Sequence, residues 1–203
     1  MDKPVTTGFW RRNLPHWRVA DRPYFVTFCL KGAVPRPVAL QMRDELERFL
    51  AQEPAPEALL AFRRRHFGRM EKLLDTSGCG PRWLADARIA ALVVRGMEMI
   101  ETSRGWDIPA AVVMPNHVHA LLVPTDRVGK SLDRTLAGLK GWSAKEANRL
   151  LGRTGQAFWA AESFDHWCRT PEETERVAAY IRDNPVKAGL VSCWGDWPWV
   201  RYR

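Results

Sequence analysis

A chain of 203 residues, 46% of them hydrophobic, holds enough apolar mass for one ordinary domain and barely enough for two. Its 31 basic residues outnumber 23 acidic ones, for a formal charge of +8. That balance favours a polyanionic partner, although arginine-rich composition alone has the same look. The opening MDKPVTTGFWRRNLPHW lacks a signal-peptide core, no apolar run is long enough to span a bilayer, and Cys29, Cys79, Cys168 and Cys193 form no C-x-x-C pair. These features exclude a membrane protein, a zinc knuckle and a disulfide framework, and predict a cytoplasmic protein with reduced thiols.

Arg22 to Leu30 (RPYFVTFCL) has the aromatic and β-branched composition of a strand, stopped by Gly32 and Pro35. Arg36 to Gln52 places Val38, Met42, Leu46, Phe49 and Leu50 at helical spacing. Pro54 and Pro56 break that pattern. Residues 54–82, with the basic run FRRRHFGR and the turn-rich SGCGP, are expected as an insertion or loop with some helix. Ala85 to Ile100 is a second helix, with Asp86 able to cap its start. Trp106 to Met114 and His117 to Val123 are two strands joined by a tight Pro115-Asn116 connection. Ser131 to Leu151 is an amphipathic helix, and Phe158 to Arg169 the final strand. Thr170-Pro171-Glu172-Glu173 starts a last helix, which Asn184-Pro185 is expected to end. The tail carries Trp194, Trp197 and Trp199. This order predicts an α+β fold with a ferredoxin-like small antiparallel sheet, helices on one face and a basic insertion.

Because side chains alternate across a strand, His117 and His119 point to one face while Val118 points to the other. Two imidazoles on one rigid face can chelate a divalent ion, and between the apolar runs AVVM and ALLV they are otherwise expensive polar guests. A pair of half-exposed histidines is the plainer alternative. Tyr180 and Asn184, four residues apart on the last helix, share a face, and in isolation each has a plain structural role. Gly129-Lys130-Ser131 sits where a phosphate-binding loop would end, but the required first glycine is Pro124, which dismisses nucleotide binding.

Taken together, VVMPNHVHALLVP, ESFDHWCR and YIRDNPVKAGLV resemble the REP-associated tyrosine transposases, relatives of the single-tyrosine HUH transposases. The resemblance runs from YFVTF near Tyr24 to DWPW near the end. It implies a single HUH transposase domain over 1–203, with a core over 22–190, the 54–82 insertion and a Trp-rich tail over 191–203. By the same resemblance His117 and His119 bind a metal ion, Mg²⁺ or Mn²⁺, Asn184 is the third ligand and Tyr180 is the nucleophile. The implied activity is cleavage and rejoining of single-stranded DNA near hairpin-forming palindromic repeats through a 5′-phosphotyrosine ester, by a monomer or a homodimer. No role is transferred onto 54–82. Arg11, Arg12, Arg63, Arg64, Arg65, Lys140 and Lys145 are candidates to track phosphates, with exposed aromatics such as Trp142 for unpaired bases. His166 and Arg169, within ESFDHWCR, either contact DNA or make structural hydrogen bonds. The alternatives are a DNA-binding protein of the same fold that has lost the reaction, an HUH replication initiator, and an RNA-binding module that would leave the histidine pair unexplained.

Overall fold

The computed structural model describes residues 5–11, 15–76, 80–103, 105–126 and 131–203. Strands β1 (Thr6–Arg11) and β2 (Pro15–Val19) form an antiparallel hairpin ahead of the main sheet. Arg11 ends β1 opposite Pro15; Arg12, Cys79 and Gly129-Lys130 lie outside the described residues. The aromatic run then forms β3 (Tyr24–Cys29), and the first amphipathic segment forms α1 (Arg36–Leu50), which buries Met42 and Leu46.

The segment expected as mostly loop is instead dominated by a helix of 21 residues, α2 (Pro56–Thr76). Pro56 occupies the first position, where its missing N–H would have had no partner. Phe67, Met70, Glu71 and Leu74 recur at the i, i+3, i+4, i+7 spacing of an inward face, which the neighbouring arginines obscure.

Helix α3 (Ala87–Ser103) is capped by Asp86, whose Oδ1 accepts the Arg88 N–H at 2.9 Å. Strands β4 (Trp106–Val113) and β5 (His117–Pro124) are the expected hairpin, closed by a Met114 N–H to His117 carbonyl bond of 2.9 Å. Helix α4 (Leu132–Leu150) starts at Ser131, whose side chain accepts from the Arg134 N–H. Strand β6 (Phe164–Trp167) keeps only four residues of the run expected there, with Trp159 forming an isolated bridge to Leu30.

Helix α5 (Pro171–Lys187) starts where predicted, Thr170 accepting the Glu173 N–H at 3.2 Å, but does not stop at Asn184-Pro185. Pro185 lies inside the last turn. The helix ends instead in a Schellman motif: Leu190 N–H bonds the Pro185 carbonyl at 2.9 Å, Gly189 N–H bonds the Val186 carbonyl at 3.0 Å, and Gly189 takes φ +67. Only a residue without Cβ takes that left-handed conformation freely. The tail adds a strand of its own, β7 (Val200–Tyr202), so Phe158 to Arg169 does not hold the last strand.

The main sheet has the order β6-β3-β5-β4-β7, with every pair antiparallel. Reading β3-α3-β4-β5-α4-β6 gives the split βαβ arrangement of ferredoxin-like folds, extended by β7 at one edge and interrupted by α1 and α2 before α3. The two crossover helices share one face, as expected. There Tyr24, Val26 and Phe28 of β3 and Val118, Ala120 and Leu122 of β5 pack against Ile89, Val93 and Met97 of α3 and Leu136 and Leu139 of α4. A Cβ on Gly96 would fall 2.4 Å from Leu139 Cδ1, so α3 and α4 approach as closely as they do because position 96 is bare. A bulge in β4 between Asp107 and Ala110 resets the alternation, so that Trp106 before it and Val113 after it enter the same core.

The opposite face carries a smaller core, in which Phe25, Val112 and Leu121 meet Ile181 and Val177 of α5, Phe67 of α2 and Trp197 of the tail. Among the described residues no helix is long and apolar enough to cross a membrane.

Candidate active site

The smaller core is where the polar residues gather. On β5, His117 and His119 are 1% and 0% exposed, and their Nε2 atoms lie 3.0 Å apart. Period-two spacing puts them side by side on the α5 face, while the register sets Thr27 of β3 and Val112 of β4 on either side of His119.

Each ring is held from behind. His117 Nδ1 lies 2.7 Å from Asn116 Oδ1, and the Asn116 amide is oriented by donating its Nδ2–H to the Leu74 carbonyl at 2.8 Å. His119 Nδ1 lies 2.7 Å from Thr27 Oγ1. With Nδ1–H donated to these oxygens, both Nε2 lone pairs point at the space between the rings, which is the tautomer a metal ligand needs. Burial, and then the neighbouring His119, push the His117 imidazole down to about 3, so it is neutral at pH 7.

The third member comes from α2. Glu71 Oε2 lies 3.1 Å from His119 Nε2 and also accepts the Tyr180 O–H. Ligand atoms of Glu71, His117 and His119 all lie within 4.8 Å of one another, and this buried group can hold a divalent metal ion. Burial alone would raise the Glu71 carboxyl; the histidines beside it and the Tyr180 hydroxyl outweigh that and hold it below its usual range. Burial and the Glu71 charge together raise the Tyr180 phenol far above its ordinary value. Tyr180 is therefore a neutral phenol whose proton points at Glu71.

Among the buried oxygens here without a hydrogen-bond partner are Glu71 Oε1 and Asn184 Oδ1, with Asp75 Oδ1 behind them. An unpaired buried oxygen costs roughly 1–3 kcal/mol, so two of them beside convergent imidazoles fit a cation better than an apolar core. Asn184, 1% exposed, turns its amide to the Tyr180 hydroxyl, a contact that acts against the rise in its pKa. The Phe25 ring stacks on His119 and meets Tyr180 edge-on, fixing the distance between them. Lys187 Nζ lies 4.5 Å from the Tyr180 ring centroid. Behind His117, a cavity of about 20 Å³, lined by Asp75, Arg82 and Asn116 among others, has room for one water. Burial, and then Glu71, raise the Asp75 carboxyl there to about 6.

The fold thus brings together His117, His119, Tyr180 and Asn184, all singled out from the sequence, and adds Glu71, Thr27 and Asn116. Of the added residues, only Glu71 left a sequence signal, a carboxylate inside the apolar stripe of α2. The candidate DNA contacts are scattered. Arg64, Arg65, Lys145 and Arg169 are exposed. Arg63 is held over the Trp17 and Phe164 rings and donates to the Asp165 carbonyl at 2.8 Å. Lys140 donates to the Ala160 and Ala161 carbonyls and to Ser163. His166 Nε2 lies 2.9 Å from Glu173, which also accepts the Arg169 N–H.

A split βαβ sheet with this histidine pair facing a helix tyrosine has a transposase-like fold. The particular likeness is to the solved structure of a REP-associated tyrosine transposase bound to a REP hairpin, with a TM-score of 0.56 over 94% of this chain and 80% of that one, at 17% identity. At that identity the likeness is one of fold. A candidate transposase from Deinococcus radiodurans also aligns, over 80% of this chain and 89% of its own, with a TM-score of 0.42 and 16% identity. No known protein family and no curated protein matches the sequence.

Proposed function

We propose that this chain is a metal-dependent single-strand DNA endonuclease and strand transferase, a transposase of the tyrosine HUH type, acting near hairpin-forming palindromic repeats. The carrying observation is that the Tyr180 hydroxyl donates to the same Glu71 carboxylate that touches His119. The nucleophile and the metal-holding group therefore share an atom's width of space. In this reading His117, His119 and Glu71 hold the ion, and Asn184 supplies a further oxygen. Mg²⁺ or Mn²⁺ suits the oxygen donors and the chemistry; bound there, it would offset the charge of the attacked phosphate and favour the phenolate.

Tyr180 passes its proton to Glu71 Oε2, which it already faces, as its Oη attacks phosphorus; the bond from phosphorus to the 3′ oxygen breaks, and that oxygen takes a proton from water to leave as a free 3′ hydroxyl. The protein keeps the 5′ phosphate as a phosphotyrosine ester, so a second 3′ hydroxyl can reverse the step and join strands without ATP. Phe25, packed on both Tyr180 and His119, lines that side of the site with an apolar ring. Among the described side chains, exposed Arg64, Arg65, Lys145 and Arg169 remain candidates for phosphate contacts, while Arg63, Lys140 and His166 contribute by holding the β6 side of the molecule. The reading includes a cytoplasmic, single-domain protein, monomer or homodimer; its hairpin partner is suggested by the structural neighbour bound to a REP hairpin.

The test is incubation with an end-labelled single-stranded hairpin and Mn²⁺ or Mg²⁺, followed by denaturing electrophoresis. A covalent protein–DNA adduct is expected, absent in Tyr180→Phe and on chelation. An adduct that survives in Tyr180→Phe removes the nucleophile; hairpin binding with no adduct in any metal leaves a DNA-binding protein of the same fold.

A further inference from the structure

The cavity of about 20 Å³ behind His117 lies between the end of α2, the connection from β4 to β5 and the residues that follow α5. Leu74 and Asp75 line it from α2, Asn116 and His117 from the end of that connection, and Leu190 from beyond α5. Asp75 is half-buried, yet its Oδ1 is closed off from solvent and has no hydrogen-bond partner. It follows Glu71 by four residues on α2, so the two carboxylates share one face of that helix. Glu71, 6% exposed, commits Oε2 to His119 and Tyr180 and also leaves its other oxygen unpartnered.

Buried oxygens without a partner are rare in folded proteins and mark a place for a water or an ion. A carboxylate that only braced the fold would show the hydrogen bonds that repay its burial, and Asp75 Oδ1 shows none. The cavity beside it is polar and has room for one water. The charges of the group act on one another across this space: after burial, Glu71 is what raises the Asp75 carboxyl, and Asp75 in turn adds to the burial and the Glu71 charge that raise the Tyr180 phenol. Imidazole ligands bring no charge to a metal ion, so Glu71 alone cancels only one charge of a divalent cation. A second carboxylate brings such a site to neutrality.

We propose that Asp75 is a positioning residue of the metal centre, acting on a divalent cation from outside the ligand set, by its charge and through a water held in this cavity. A small hard cation such as Mg²⁺ gives up its waters reluctantly, so a carboxylate set back from the ligands acts on it through one of them. Residues in such outer positions orient the ligands and tune the affinity for the ion nearly as strongly as the ligands themselves. This inference rests on the reading of Glu71, His117 and His119 as the metal centre, and it does not require that the protein cut DNA.

The test is titration of the full chain with Mn²⁺, free Mn²⁺ being read by electron paramagnetic resonance, beside thermal melting in EDTA. Asp75→Asn keeps the shape and removes the charge. It should bind Mn²⁺ at least ~10-fold more weakly, the lower end for loss of an outer partner, with no fall in its melting temperature in EDTA. Asp75→Ser, which leaves space for a further water, is the second variant and should weaken binding by a similar factor. Lys72→Ala, exposed on the same turn of α2, should bind as the parent does. Mn²⁺ affinity within ~2-fold of the parent in both Asp75 variants overturns the proposal. A melting temperature in EDTA that falls together with the affinity assigns Asp75 to the fold and also overturns it. A parent chain that binds no Mn²⁺ removes the metal centre and this inference together. Weaker Mn²⁺ binding in Asp75→Asn, beside a parent that forms no adduct on the hairpin, sustains the inference and removes the strand-transfer reading.

Discussion

The two faces of the sheet are built from alternate residues of the same strands, and they differ in kind. On the α3 and α4 side, Val118, Ala120 and Leu122 enter a core whose members are almost all apolar. On the α5 side, His117 and His119 alternate with them and meet Glu71, Tyr180 and Asn184, with two oxygens unpartnered. One side supplies stability by burial, and its few polar groups, such as the Tyr24 hydroxyl and Ser143, are hydrogen-bonded. The other gives up part of that stability to hold ionisable groups at fixed distances. A one-residue register slip in β5 would exchange the two, which is why the Thr27–His119 and Val112–His119 pairings matter as much as the histidines themselves.

Substitutions on the two faces should separate function from stability. The largest expected effect is Tyr180→Phe, which should cut adduct formation by at least ~10³-fold, as loss of a nucleophile does. Its unfolding midpoint should stay close to that of the parent chain, and a collapse in stability would make the tyrosine a core residue first. Next, His117→Ala should lower cleavage by at least ~100-fold, since removing a ligand costs no less than removing one of its outer partners. Hairpin binding in gel-shift assays should survive. Equal loss of both would assign His117 to folding.

On the opposite face, Leu122→Ala should cost ~2–5 kcal/mol in denaturant unfolding, with adduct yield per folded molecule unchanged at low temperature. A specific loss of cleavage there would break the division between faces. Glu71→Gln keeps the shape and removes the charge; titration calorimetry should show Mn²⁺ bound ~10-fold more weakly, and unchanged binding would leave Glu71 as a partner of Tyr180 alone.

The smallest effect concerns the ionic network beside β6, where His16 lies 2.6 Å from Asp165 and 3.3 Å from Glu162. Burial by itself would lower the His16 imidazole, but these carboxylates outweigh it and raise it from its ordinary 6.5 to about 9 in the fold, so the native state holds a proton that the unfolded chain releases between those values. Its stabilisation is complete below pH 6.5 and is lost as pH rises through 9. The melting temperature should therefore fall by roughly several degrees across that window, a slope that His16→Gln should flatten.

The site was legible where its residues are local and obscure where they are not. The alternation that aims His117 and His119 is written into β5 itself, and Thr170 and Pro171 announce α5. Thr27 joins the site only through the pairing of β3 with β5, which no local pattern specifies. Glu71 is the middle case: its place among Phe67, Met70 and Leu74 marks an inward carboxylate, but the arginines at 63–65 make the whole segment look like a solvated insertion. Asn184-Pro185 misleads for a different reason. Proline in the last turn displaces only one hydrogen bond, and the Gly189 cap offers a better place to stop. β7 leaves no such mark, because three residues following a tryptophan-rich stretch carry no periodicity.

The docking of α2 has a consequence for how the chain reaches its working state. The Glu71–Tyr180 contact joins residues 109 positions apart, on two helices that pack against the same face of the sheet. Such long-range closure is slow to nucleate because the entropy of the intervening loop is lost before the contact returns anything. An ion that needs the whole cluster would therefore recognise only the assembled fold. An ion bound there would withdraw protein from the unfolded pool, so the melting temperature would rise with the concentration of added Mn²⁺.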